Sequence, residues 1–164
     1  MIKLLVLDVD GCLSDGKITY SSDGSEIKAF NVKDGLAIAT WIRMGNHVAI
    51  ITGRESKIVK RRADELGIKL LFQGIKDKET LIKKIASDHK IAAEEIAAIG
   101  DDLNDFNMLR FVGRSYTPAN GVEDIKGIVT TVLSHNGGDG AIREMIEDIL
   151  VIDDRKKEFL SFWI

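Results

Sequence analysis

Three stretches of the chain are apolar without alternation: Leu4-Leu5-Val6-Leu7 after Lys3, His47-Val48-Ala49-Ile50-Ile51, and Ile96-Ala97-Ala98-Ile99. A strand with one wet face alternates, so unbroken runs of this length predict strands covered on both sides, as inside an α/β sheet. Each run stops abruptly in small and polar residues, at Asp8 to Gly11, at Thr52-Gly53 and at Gly100-Asp101-Asp102. Helical periodicity fills the intervals. Residues 35–44 carry Leu36, Ile38, Ala39 and Ile42 on overlapping faces, and 56–66 carry Ile58, Val59, Ala63 and Leu66 before stopping at Gly67. Further helices are predicted over 80–86, 104–110 and 140–150, with short strands at 69–72, 112–115 and 127–130. Strands alternating with helices of this length predict βαβ units and a mostly parallel sheet. Ligands of such sheets gather beyond the carboxyl ends of the strands, where all three polar clusters are expected to converge.

Residues 16–30 interrupt that rhythm. Ile18-Thr19-Tyr20 and Ile27-Lys28-Ala29-Phe30 flank Ser21-Ser22-Asp23-Gly24, and an Asp-Gly pair in that position signals a β-hairpin. The expected organisation is one domain over 1–164 with a hairpin insertion at about 16–30. A hairpin this short is marginal alone. If it protruded, Ile18, Tyr20, Ile27 and Phe30 would leave apolar area in water. Packing against hairpins of other copies is therefore preferred to folding back on its own domain. The segment Phe159-Leu160-Ser161-Phe162-Trp163-Ile164 is equally apolar and should dock on its own sheet or on another subunit.

Composition narrows the function classes. Among 164 residues, 23 Lys+Arg face 26 Asp+Glu, a net charge of -3, which leaves no basic excess for a phosphate backbone. The single cysteine, Cys12, excludes an intramolecular disulfide and suits a reducing, cytoplasmic setting. No apolar run has the length of a membrane span, and the first one lacks the features of a signal peptide.

The chemistry is concentrated where the runs end. Asp8 and Asp10 sit two apart, on one side of the chain if it stays extended between them. Two such carboxylates repel unless a cation joins them, and Mg²⁺ is the hard cation suited to an oxygen-only site. Asp-Gly-rich turns also exist merely to be solvated. The run Gly100-Asp101-Asp102-Leu103-Asn104-Asp105 tilts the balance, because capping of the next helix accounts for one acid and not three. Thr52-Gly53-Arg54 adds a hydroxyl, a flexible backbone and a cation. Lys78, between Asp77 and Glu79, reads on its own as a surface charge.

Together, Asp8-Val9-Asp10-Gly11, Thr52-Gly53-Arg54, Lys78 and Gly100 to Asp105 resemble the four motifs of the haloacid dehalogenase-like phosphatases. Phe30 to Gly35, Phe72 to Lys78 and Gly137-Gly138-Asp139-Gly140-Ala141-Ile142-Arg143-Glu144 are similar to the capless, tetrameric branch that acts on 3-deoxy-D-manno-octulosonate 8-phosphate. The resemblance covers all but the last dozen residues. It implies a three-layer Rossmann-like α/β fold without a large cap, and a phosphomonoesterase of lipopolysaccharide precursor synthesis. It also implies roles. Asp8 is the nucleophile that forms an aspartyl-phosphate, and Asp10 is the general acid and later the base. Asp8, the Asp10 carbonyl and Asp101 hold Mg²⁺. Thr52 and the Gly53 amide bind phosphoryl oxygens, Lys78 neutralises charge, and Asp105 and Asp102 support Lys78 or a metal-bound water.

Arg54 is the first choice for a substrate carboxylate, since an arginine fork matches one. Arg62, two turns along the same helix, serves the substrate or a subunit contact, and Arg143 a neighbour's substrate. Cys12 reads as a small filler, because no Cys-His grouping for thiol catalysis is present. His47, His89 and His135 lack zinc spacing. The rivals are a phosphatase of nonulosonate 9-phosphates, against which Arg54 after Thr-Gly weighs, and an idle scaffold of the same fold, against which the complete motif set weighs.

Overall fold

A computed structural model describes residues 1–164. The chain runs through β1 (Leu4–Leu7), a tight turn over Val9–Leu13, and the hairpin strands β2 (Thr19–Tyr20) and β3 (Glu26–Ile27). It continues through α1 (Val32–Arg43), β4 (His47–Ile51), α2 (Lys57–Leu66), β5 (Leu70–Phe72), α3 (Lys78–His89) and β6 (Ile96–Ile99). Then follow α4 (Phe106–Phe111), β7 (Arg114–Thr117), α5 (Glu123–Lys126), β8 (Thr131–Val132), α6 (Ala141–Ile152) and α7 (Lys156–Leu160). Six strands pair in parallel in the order β5-β4-β1-β6-β7-β8.

The unbroken apolar runs have the predicted cause. Leu5 and Leu7 of β1 face one core with α1 and α6, while Leu4 and Val6 face a second core with Ile82 and Ile85 of α3 and Met108 of α4. Period-two alternation sends successive side chains to opposite faces, and both faces are covered. The result is a three-layer α/β fold with a small hairpin and no large cap. Strand order reverses direction around β1, so the crevice beyond β1, β4 and β6 is where such a fold presents a ligand site.

Several boundaries differ from expectation. The first helix begins at Val32 because the Asn31 side chain accepts a hydrogen bond from the Lys33 amide. The third spans 78–89 rather than 80–86, capped at its start by Asp77. Helix 104–110 divides into a 3₁₀ turn at Leu103–Asp105 and α4. The strand expected at 112–115 lies at 114–117. That expected at 127–130 is absent: Ile128 and Val129 follow α5 in a turn and pack against the second core, and pairing begins only at Thr131.

The hairpin divides its loyalties. Ile18, Tyr20 and Ile27 are 42%, 61% and 52% exposed, while Phe30 packs on the first core and Glu26 and Lys28 turn inward onto the same chain. The final segment docks on its own helices rather than on the sheet. Phe159 is buried with α6, the Trp163 indole N–H donates to Thr40 Oγ1 at 3.1 Å, and Arg43 lies over the rings of Phe162 and Trp163.

Candidate active site

The sheet pairing stops at Leu7, and the Asp8 amide still reaches the Ile99 carbonyl. Asp8 and Asp10 both keep extended backbone angles (φ -75, ψ 162 and φ -74, ψ 111). The chain then reverses at Gly11, with φ at 95°, and the Ser14 amide closes the turn onto the Val9 carbonyl. Glycine is required at position 11 twice over. Its φ is left-handed, and a Cβ there would overlap the Asp101 carboxylate.

Asp8, Asp10, Thr52, Gly53, Arg54, Asp101, Asp102, Gly16 and Asn104 line one pocket of about 280 Å³ without a hydrophobic wall. The three strand-end clusters therefore do converge. Lys78, far from being a surface charge, is buried at the start of α3, where its Nζ donates to Asp8 Oδ1 at 2.7 Å and to Asp105 Oδ1 at 2.6 Å. Asp105, fully buried, accepts from the Asp101 amide with its other oxygen. The members of the acidic cluster thus have different partners. Asp105 anchors Lys78, Asp102 caps the 3₁₀ turn through the Leu103 amide, and Asp101 faces Asp8.

Three acids surround one buried lysine, and the electrostatics register the excess. Burial first, then Asp105, push the Asp8 carboxyl up to about 7, against the pull of Lys78. Burial, then Asp105 and Asp102, raise Asp101 to about 6. Burial also works to lower Lys78, but Asp8 and Asp105 overcome it and hold its ammonium above the ordinary range. Ligand atoms of Asp8, Asp101 and Cys12 lie within 4.8 Å of one another. Burial and the nearby Asp8 push the Cys12 thiol well above its usual range, and a soft sulfur suits a hard cation less well than the carboxylate oxygens do. What remains is uncompensated carboxylate oxygen, which fits a hard divalent cation.

Arg54 reaches the mouth of the pocket, with Nε 3.9 Å from Asp10 Oδ2 and a hydrogen bond to the Tyr20 hydroxyl. Arg62 is not brought into the pocket; it pairs with Glu65 and lies over Phe30 in an adjoining groove. Arg143 pairs with Glu147 on α6, outside the pocket. Two residues that were not singled out from sequence bond to the site without lining the pocket: Lys28 pairs with Asp10, and Glu26 accepts from Ser56 Oγ at 2.6 Å. Their period-two spacing, opposite to that of Ile27 and Ala29, was the available signal.

A haloacid dehalogenase-like hydrolase family model matches residues 72–145. The 3-deoxy-D-manno-octulosonate 8-phosphate phosphatase KdsC of Haemophilus influenzae is 40% identical over 158 residues, 96% of this chain and 88% of that protein. The chain belongs to the haloacid dehalogenase-like hydrolases, in the KdsC-type phosphatase family. KdsC of Escherichia coli K12 is also 40% identical, over 96% of this chain and 84% of its own. The crystal structure of the Moraxella catarrhalis 3-deoxy-D-manno-octulosonate 8-phosphate phosphatase, with magnesium, phosphate and KDO bound, superposes with a TM-score of 0.95. It is 41% identical, with 99% of this chain and 94% of that one covered. This KdsC-type hydrolase also has no helix long and apolar enough to cross a membrane.

Proposed function

We propose that the protein is an Mg²⁺-dependent phosphatase that releases phosphate from 3-deoxy-D-manno-octulosonate 8-phosphate, a step of lipopolysaccharide precursor synthesis in the cytoplasm, as one folding unit. The observation that carries this reading is the buried Asp8–Lys78–Asp105 chain opening onto a pocket shared with Asp10, Thr52 and Gly53. Near-full-length likeness to phosphatases of that substrate supports it.

Asp8 attacks phosphorus and becomes the aspartyl-phosphate. Lys78, itself held by Asp105, takes up charge beside the attacking carboxylate. Thr52 and the Gly53 amide bind the phosphoryl oxygens, and Asp10 protonates the leaving sugar oxygen, then withdraws a proton from the water that hydrolyses the intermediate. Asp8, the Asp10 carbonyl and Asp101 would hold Mg²⁺, with Asp102 in support. The ion supplies charge neutralisation where a carboxylate must approach a phosphate dianion. Arg54 receives the substrate carboxylate. The exposed Ile18, Tyr20 and Ile27 support a homotetramer joined through the hairpins, with Arg62 in its adjoining groove available to a subunit contact.

Purified protein with Mg²⁺ is expected to release phosphate from the octulosonate 8-phosphate faster than from a nonulosonate 9-phosphate. Asp8→Asn, which keeps the side-chain volume, should abolish turnover in a folded protein. An undiminished Asp8→Asn rate overturns the covalent assignment, and preference for the nine-carbon ester overturns the substrate.

A further inference from the structure

The hairpin touches the pocket in a way that the phosphatase motifs do not account for. Of its charged side chains, Lys17 is 80% exposed while Lys28 is 1% exposed, although β2 and β3 are only two residues each. A lysine taken out of water needs carboxylate partners. Lys28 has two: its Nζ pairs with Asp10 Oδ1, and Glu26 Oε1 lies 3.3 Å away. Glu26 is tied down in turn. Its Oε2 accepts from Ser56 Oγ, the N-cap of α2, and the Ser56 amide donates to Gln73 Oε1 at 2.8 Å. Glu26 Oε1 also stands 3.8 Å from Arg54, so carboxylates and cations alternate from Asp10 through Lys28 and Glu26 to Arg54.

The Asp10 carboxylate has no other well-aligned donor; Arg54 stays 3.9 Å from its second oxygen. Its turn is held by backbone bonds, but the direction of its side chain rests on Lys28. Lys28 itself does not line the polar pocket. It lines the adjoining groove with Phe30, Val32, Ile58 and Arg62, and its Nζ pairs with Asp10. Its ammonium is engaged by Asp10 and Glu26.

We infer that Lys28, backed by Glu26, is a positioning residue that aims the Asp10 carboxyl group at the leaving oxygen of the ester. This rests on the reading of Asp10 as the general acid. In that step the Asp8 carboxylate bonds to phosphorus, and the ester O–P bond breaks with its electron pair on the leaving oxygen. That oxygen takes the Asp10 proton, which leaves Asp10 ionised opposite Lys28. Proton transfer at a stretched bond depends steeply on placement. Leaving groups that depart readily as anions need it least.

The test is the dependence of kcat/KM on leaving group, measured on the full chain with saturating Mg²⁺ across a series of substituted phenyl phosphates. These esters carry no carboxylate, so recognition of a sugar acid cannot mimic the effect. Lys28→Met keeps most of the stem and removes the charge. It should cost less than about 3-fold on 4-nitrophenyl phosphate and about 10- to 100-fold on unsubstituted phenyl phosphate, part of what a general acid supplies. Lys28→Arg should recover most of the loss. An equal fall across the series assigns Lys28 to phosphate binding or to the fold and overturns the inference, as does no fall at all. If Lys28→Met does not accumulate as folded protein, Glu26→Gln should show the same slope at about 3- to 10-fold on phenyl phosphate; a flat response there is equally fatal. Asp10→Asn separates the two levels. A flat series for Asp10→Asn removes the acid assignment itself, whereas a steep series beside an unchanged Lys28→Met series removes only the role of Lys28.

Discussion

At the scale of single residues, the pocket stores unfavourable charge that a cation relieves, and this gives a pH dependence of definite sign. In the unfolded chain Asp8 and Asp101 titrate near 3.8; in the fold they titrate near 7 and 6. Between about pH 4 and 7 the metal-free fold binds more protons than the unfolded chain, so its stability falls as pH rises through that window. Above pH 7 the whole penalty is present. Mg²⁺ needs the ionised carboxylates, so its stabilising effect must grow over the same range. At a concentration about 100 times its dissociation constant it contributes about 2.7 kcal/mol, or roughly 5–10 °C in Tm for a chain of this length. Calorimetry with and without Mg²⁺ should give that gain at pH 8 and less than half of it at pH 5.5. A gain independent of pH would show that these two carboxylates are not the ligands. Arg54 carries a second prediction at this scale. Facing Asp10, Glu26 and Tyr20 and nearly half exposed, it is a rim cation, and the contact with a substrate carboxylate proposed for it would be diluted by solvent. Arg54→Ala should lower kcat/KM for the sugar acid by roughly 10- to 30-fold, the lower end of what a charge-assisted pair is worth. It should spare 4-nitrophenyl phosphate to within about 3-fold.

At the scale of elements, the loop before α6 braces the turn that carries Asp10. The Gly138 amide donates to the Cys12 carbonyl, and a Cβ on Gly137 would overlap the Gly11 carbonyl oxygen. The loop is fixed from behind by Glu144, which accepts from the Ser134 and His135 amides, and by Asp34, which accepts from the Arg143 amide. Gly137→Ala must push the Gly11–Cys12 backbone aside and carry the Asp10 carbonyl with it. At least a roughly 100-fold loss of turnover is expected, whereas Gly127→Ala, with ordinary contacts and a helical φ, should leave activity unchanged. Equal activity in both variants would show that the brace does not position the turn. The sequence shows residues 137–144 as a glycine-rich run that resembles the family, but not what they brace, because the partner lies far back along the chain at Gly11. What was legible follows the same rule. Strands β1, β4 and β6 announced themselves through burial on both faces, and the strand-end acids through their density. Residues 127–130 misled because Ile128 and Val129 are apolar for a different reason, contact with the second core from a turn. Lys28 escaped notice because its pairing with Asp10 spans a hairpin whose own strands are two residues long.

At the scale of the whole molecule, the hairpin joins the surface to the chemistry. Tyr20 stands opposite Glu26, so the face that sends Glu26 and Lys28 to Ser56 and Asp10 also carries Tyr20 to Arg54, while Ile27 lies opposite Thr19 on the other face. Ile18, Tyr20 and Ile27 all stay largely in water, and burying them against other copies of the hairpin is the expected route to a tetramer of about four times 18.1 kDa. Two-residue strands have little stability of their own, so the same contacts should hold Glu26 and Lys28 in place. Ile18→Glu combined with Ile27→Glu places like charges where the copies would meet and touches neither Arg54 nor Asp10. Light scattering should then report a monomer. The monomer should lose kcat/KM unevenly, with weakly acidic leaving groups hit hardest, because a loosened hairpin no longer steadies Lys28 on Asp10. Its Mg²⁺-dependent rise in Tm should survive, since Asp8 and Asp101 sit on the sheet edge and not on the hairpin. A native protein that is monomeric at assay concentration and fully active would refute the assembly. A monomeric variant with an unaltered leaving-group slope would show that assembly and proton transfer are independent.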